Sequence, residues 1–192
     1  MKKLLCTCLL LLSATSLATE QIHLLISKEQ IAEKITEVAA QINREYAGQE
    51  LTAIMVMKGA VCITADLIKK IEVPCKLDYV KASSYGQKGA KRGELTLVGL
   101  DGLDLEGKNI LVIDDIFDSG HTMYTIVNLL NEKKPKSIKT LVLLTKDVPR
   151  TISYLPDYSL FTIENRFIVG YGLDYKEYYR GLEGIYELTL SD

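Results

Sequence analysis

The chain has 192 residues, 47% of them hydrophobic and 25% charged, which suits a single folded domain with one core and excludes a disordered or fibrous chain. A formal charge of −2 supplies no overall cationic field for nucleic acid or an anionic membrane, and four cysteines are too few for a disulfide scaffold. Function must therefore be sought in local motifs.

Lys2 and Lys3 open the chain, an apolar run from Leu4 to Leu12 broken only by Thr7 follows, and Ser16-Leu17-Ala18 gives a small-x-small exit. That order has the form of a secretory signal peptide, and the run is too short for a permanent transmembrane helix. The expectation is a leader over residues 1–18, one folded domain over 19–192, and no stable membrane insertion. The alternatives are an uncleaved apolar tail or a mis-assigned start, although no methionine stands between Met1 and Met55.

Ser27 with Gln30 forms a capping box, and Ile31, Ile35, Val38, Ile42 and Tyr46 recur at helical spacing until Gly48. Leu51 to Met57 reads as a buried strand, Ala60 to Lys70 as a helix, and Cys75 to Ala82 as a half-buried strand. Residues 84–93 carry three glycines and three cations with almost no apolar content, the composition of a mobile surface loop. Leu95, Leu97 and Leu100 suggest a strand or hairpin beyond it. Ile110 to Ile113 is continuous and β-favouring, as in a central parallel strand. Met123, Ile126, Val127 and Leu130 give the next helix its apolar stripe, with Lys133, Lys134 and Lys136 at its C-terminal end. Leu141 to Leu144 is another buried strand. The sequence of elements predicts an α/β sheet with crossovers, whose ligands bind at the carboxyl ends of the strands.

At one such end stand Asp114-Asp115-Ile116-Phe117-Asp118-Ser119-Gly120-His121-Thr122. Two acids close a buried strand, and an Asp-Ser-Gly-x-Thr loop then opens a helix. Backbone N–H groups and two hydroxyls at a positive helix end make a phosphate cradle, and the acids can accept hydrogen bonds from a ribose diol. Asp118 and Ser119 are also ordinary N-cap residues and Gly120 an ordinary turn former, so the loop alone is weak. Preceded by four apolar residues and two acids, it points to a phosphorylated ribose.

Ile110 to Thr122 resembles the phosphoribosyl-pyrophosphate signature of the type I phosphoribosyltransferases. Met57-Lys58-Gly59-Ala60, Ser83-Ser84-Tyr85-Gly86, Leu144-Thr145-Lys146, Phe167 to Tyr175 and Tyr179-Arg180 resemble segments of its hypoxanthine-guanine branch, in the same order. Asp114 stands where that branch usually has Glu, and His121 fills a variable position. The resemblance, from about Ile22 to the C-terminus, implies a mainly parallel central sheet flanked by helices, with a small hood and a mobile active-site loop.

The resemblance also implies a reaction and its residues. The phosphoribosyl group of 5-phosphoribosyl 1-pyrophosphate would pass to N9 of hypoxanthine or guanine, giving IMP or GMP. Asp118 would be the general acid/base at the purine N7. Asp114 and Asp115 would hold the ribose, and Asp118, Ser119, Gly120, His121 and Thr122 the 5′-phosphate. Lys58, Gly59, Ser84, Tyr85 and Arg180 would bind pyrophosphate, with a non-proline cis peptide in the Lys58-Gly59 turn. Lys146 would donate to the purine O6, Phe167 would stack on the base, and the Ile168 main chain would read its far edge. Asp174 would bind Mg²⁺, whose hard oxygen ligands it supplies, whereas His23, His121, Cys62 and Cys75 lack zinc-site spacing. The partners expected are these small molecules and further copies in a homodimer or homotetramer, with no nucleic acid. The donor is a cytoplasmic metabolite, so a cytoplasmic location is expected against the sense of the leader. A phosphoribosyltransferase specific for adenine, orotate or xanthine, a donor-sensing regulator that binds nucleic acid, and an exported binding protein are the rival readings.

Overall fold

The computed structural model describes residues 19–84 and 95–191. The leader, most of loop 84–93 and the contacts expected of the Ser84 and Tyr85 side chains lie outside them. The chain forms β1 (Thr19–Ile26), α1 (Lys28–Glu45), β2 (Leu51–Met57), α2 (Val61–Ile68), β3 (Cys75–Ser84) and β4 (Leu95–Val98). There follow β5 (Asn109–Phe117), α3 (His121–Asn131), β6 (Ser137–Lys146), β7 (Tyr158–Ile163), β8 (Ile168–Val169) and β9 (Ile185–Ser191).

Helix α1 starts where its capping box requires: Ser27 N–H donates to Gln30 Oε1 at 2.9 Å, and Gln30 N–H donates to Ser27 Oγ at 3.3 Å. Ile31, Ile35, Val38 and Ile42 form its buried stripe. It ends at Glu45, short of Gly48, and Tyr46 is buried just beyond the last turn.

The main sheet runs β4-β3-β2-β5-β6-β7, with β4 antiparallel to β3 and every other neighbour pair parallel. Its central strands are covered on both faces, which is why they read as unbroken apolar runs. Leu111, Ile113 and Leu141 join the core under α1 and α2, whereas Ile110, Val112 and Val142 join the one under α3. Ser84 is the last residue of β3, opposite Leu95, so the strand runs two residues past the expected end at Ala82 and takes in the first residue of the expected loop. Lys133, expected at the α3 C-terminus, lies two residues past it and reaches the Leu103 carbonyl at 3.2 Å.

A second sheet, β1-β9-β8, is antiparallel throughout and forms the small hood. Its β1 and β9, and β7 of the main sheet, were not anticipated from the sequence. The crossover helices leave β2, β5 and β6 with their carboxyl ends side by side, where Met57-Lys58, Asp114 to Asp118 and Lys146 gather.

Candidate active site

Asp114 and Asp115 close β5. Asp114 is 7% exposed, and its Oδ1 accepts the Asp115 N–H at 2.9 Å; Asp115 Oδ1 accepts the Ile116 N–H at 2.8 Å. Burial first, and then the neighbouring Asp115 charge, hold the Asp114 carboxyl well above the usual carboxylate range. Burial also raises that of Asp115, opposed by bonds to its charged form.

Gly120 then adopts φ 80° as the N-cap of α3, and a Cβ there would lie 2.6 Å from both Phe117 Cζ and Ile152 Cδ1. Only glycine fits the conformation and the space. The cap has no side-chain hydrogen bond and the first turn holds no acid, so the expected phosphate loop presents a positive helix end to an anion. His121 and Thr122 lie in that first turn, and His121 Nε2 meets Thr151 Oγ1 at 3.3 Å.

Asp118 and Lys146 stand at the ends of neighbouring parallel strands. Lys146 Nζ is 3.8 Å from Asp118 Oδ2, with the lysine side chain 14% exposed and the aspartate side chain 57%. Lys146 also reaches Asn165 Oδ1 at 3.4 Å. A largely buried ammonium beside an open carboxylate is suited to a ligand offering one acceptor and one exchangeable proton. Phe167 is 52% exposed and packs edge-on against Tyr175 at 5.5 Å between centroids, which leaves area for stacking. Ile168, by contrast, is buried in β8.

The Met57–Lys58 peptide bond is cis, as the resemblance implies. It leads into Gly59, where a Cβ would fall 1.6 Å from Asp115 Oδ2. Gly172, at φ 101°, faces the same turn, and a Cβ there would fall 2.0 Å from the Gly59 carbonyl oxygen. These two close approaches join the turn, the acidic strand end and the segment carrying Asp174. Arg180 Nη1 donates to the Gly172 carbonyl at 2.7 Å, and Nη2 pairs with Asp174 Oδ1 at 2.6 Å. Arg180 Nε is buried without a partner. Glu177, unnoticed in the sequence, accepts from Lys58 at 2.9 Å and from Arg180 at 3.2 Å. The cations expected to meet pyrophosphate are thus assembled and face a carboxylate of the chain itself.

Among the described residues no group of three or more His, Cys, Asp or Glu side chains could hold a metal alone. Asp174 offers a single carboxylate, already shared between Arg180 and the Glu177 N–H at 2.8 Å. That donor set fits a hard cation carried largely by substrate oxygens and water, and does not fit a protein-caged metal.

Arg150 was also missed. Its Nε donates to the Asp118 carbonyl at 2.9 Å and its Nη2 to the Lys146 carbonyl. Nothing in the sequence marks it, since it lies in an irregular segment with no periodicity.

The model of the phosphoribosyl transferase domain matches residues 25–176. The hypoxanthine-guanine phosphoribosyltransferase of Bacillus subtilis is 41% identical over 158 residues, 82% of this chain and 88% of that protein. A crystal structure of a hypoxanthine-guanine phosphoribosyltransferase from Bacillus anthracis superposes with a TM-score of 0.81 at 37% identity, covering 89% of this chain and 100% of that one. A bifunctional protein TilS/HprT of Listeria innocua is 39% identical over 158 residues, and the chain spans 24% of its length.

Proposed function

The chain belongs to the phosphoribosyltransferase family, and from that premise we propose that it moves the 5-phosphoribosyl group from 5-phosphoribosyl 1-pyrophosphate to N9 of hypoxanthine or guanine. The observation that carries this reading is the Asp118–Lys146 pair, 3.8 Å apart beside the uncapped start of α3. One carboxylate and one ammonium then meet a 6-oxopurine while the adjacent loop holds a sugar phosphate.

In this reading the purine arrives as its N7–H tautomer. The N9 lone pair forms the bond to C1′, the bond from C1′ to the pyrophosphate oxygen breaks, and its electron pair leaves with pyrophosphate. The N7 proton passes to Asp118. Lys146 donates to O6, which discriminates against adenine because an exocyclic amine offers hydrogens where the ammonium needs an acceptor. Phe167 stacks on the base and the main chain of Ile168 meets its edge. Asp114 and Asp115 accept from the ribose hydroxyls, while Ser119, Gly120, His121 and Thr122 surround the 5′-phosphate. Lys58, Gly59 and Arg180 face the pyrophosphate.

Members of the family use a divalent metal, and we assign Mg²⁺ held at Asp174, where it would neutralise pyrophosphate charge. Exposed Leu77 and Tyr79 lie on the sheet face that α1 and α2 cover, in register with Ala53 and Met55, and support a homo-oligomer. The donor supports a cytoplasmic site of action.

The test is a spectrophotometric assay offering hypoxanthine, guanine, xanthine and adenine with the donor and Mg²⁺. Turnover of hypoxanthine or guanine but not adenine is expected. No turnover of any base, with salt-dependent RNA retardation in a gel, would transfer the site to a regulatory protein.

A further inference from the structure

The β5–β6 ladder stops with Phe117 opposite Thr145, one residue before Asp118 and Lys146. The two residues expected to handle the purine therefore sit just past the hydrogen bonds that would have fixed their spacing. Arg150 occupies that gap. Its Nε donates to the carbonyl of Asp118 at 2.9 Å and its Nη2 to the carbonyl of Lys146, which also takes the Val148 N–H at 3.1 Å. Its guanidinium carbon stands 5.1 Å from the ring centroid of Phe117, a residue only 1% exposed. The next residue, Thr151, touches His121 in the phosphate loop.

We propose that Arg150 is a positioning residue for purine recognition, joining the main chains of Asp118 and Lys146 so that their side chains meet one base. A guanidinium is planar and rigid, so two N–H groups aimed at two carbonyls fix the distance between them, and packing on a buried ring fixes the plane. A lysine keeps the cation over Phe117 but cannot present such a fork. The inference rests on the function proposed above and adds to it a residue that meets no substrate atom.

The experiment compares Arg150→Lys and Arg150→Ala with the wild type in steady-state kinetics, varying hypoxanthine and the ribosyl donor separately. Displacement of about 1 Å at a reacting pair costs on the order of 10²-fold. The expectation is therefore a loss of at least ~10-fold in kcat/KM for hypoxanthine in both variants, with KM for the donor within about twofold and with part of the Arg150→Ala activity restored by added guanidinium ion. The melting temperature of Arg150→Lys is expected to stay near that of the wild type, so this variant decides the matter if Arg150→Ala fails to fold. Wild-type kcat/KM for hypoxanthine in Arg150→Lys, or donor and purine KM rising together, would overturn the inference while the function stands. An inactive wild type would overturn the functional reading, and this inference with it.

Discussion

Replacing Gly59 by alanine tests how tightly the site is built. The new Cβ would fall 1.6 Å from Asp115 Oδ2, 2.4 Å from its Cγ and 3.1 Å from its Cβ. Contacts under 3.0 Å are essentially never seen, so the turn or the carboxylate must retreat by at least about 1.4 Å. Asp115 cannot give way freely, because its Oδ1 holds the Ile116 N–H and Asp114 stands beside it. The turn cannot retreat freely either, since Gly172 backs directly onto the Gly59 carbonyl. Overpacking of this kind costs about 1–3 kcal/mol, or roughly 2–12 °C of melting temperature in a chain of this size. With Asp115 on the ribose, as proposed, a displacement of more than ~1 Å should cost on the order of 10²-fold in kcat/KM for the donor. Initial rates of IMP formation against donor concentration measure the second effect and a thermal melt the first. Gly102→Ala is the control, because a Cβ there meets nothing within 4 Å. If Gly59→Ala kept wild-type kcat/KM for the donor and melted within a degree of the control, the claimed apposition of turn and carboxylate would be wrong.

Asp118→Asn should fold normally, its side chain being 57% exposed, yet lose about 10²–10⁴ in kcat while still binding IMP in calorimetry; wild-type kcat would remove its acid/base role. Glu177→Gln frees Lys58 and leaves Arg180 paired with Asp174 alone, and should lower KM for the donor about 2- to 10-fold at unchanged kcat, whereas a raised KM would show that Glu177 aids binding. Glu45 is pushed down from 4.5 to about 2 by its bonds to Lys139 and Tyr158. Its folded-state pKa lies below the unfolded one, so its contribution is full above about pH 4.5 and disappears as the pH falls toward about 2. That contribution is at most about 3 kcal/mol, and less after solvent screening of a side chain about one-third exposed. Glu45→Gln should flatten the acid limb of stability across this window in denaturant titrations, and an unchanged limb would refute the assignment.

Much of the proposed site is legible in the sequence. Asp114 to Thr122 is contiguous, and each of its parts follows from local chemistry: a buried strand, two acids at its end, and a glycine the turn cannot do without. Lys146 was legible because it follows an apolar strand, and Lys58-Gly59 for the same reason. The hood strands β1 and β9 were not, because each is half of a long-range pair, Thr19 opposite Ser191, and has no local partner to betray it. Arg150 and Glu177 were invisible for a related reason. Both lie in irregular segments, and what gives them meaning is the carbonyl, ring or ammonium they meet across the fold.

The amino-acid order by itself determined the α/β class, the capped first helix, the doubly covered central strands and the glycine turn that opens α3, because each depends on interactions among near neighbours and on which faces are apolar. Tertiary structure alone decided that Asp118 comes within 3.8 Å of Lys146, that Gly59 lies against Asp115, and that Glu177 pairs with Lys58 and Arg180. Those distances depend on how parallel strands register and how loops return over them, and the free energy fixing that register is spread through the whole core.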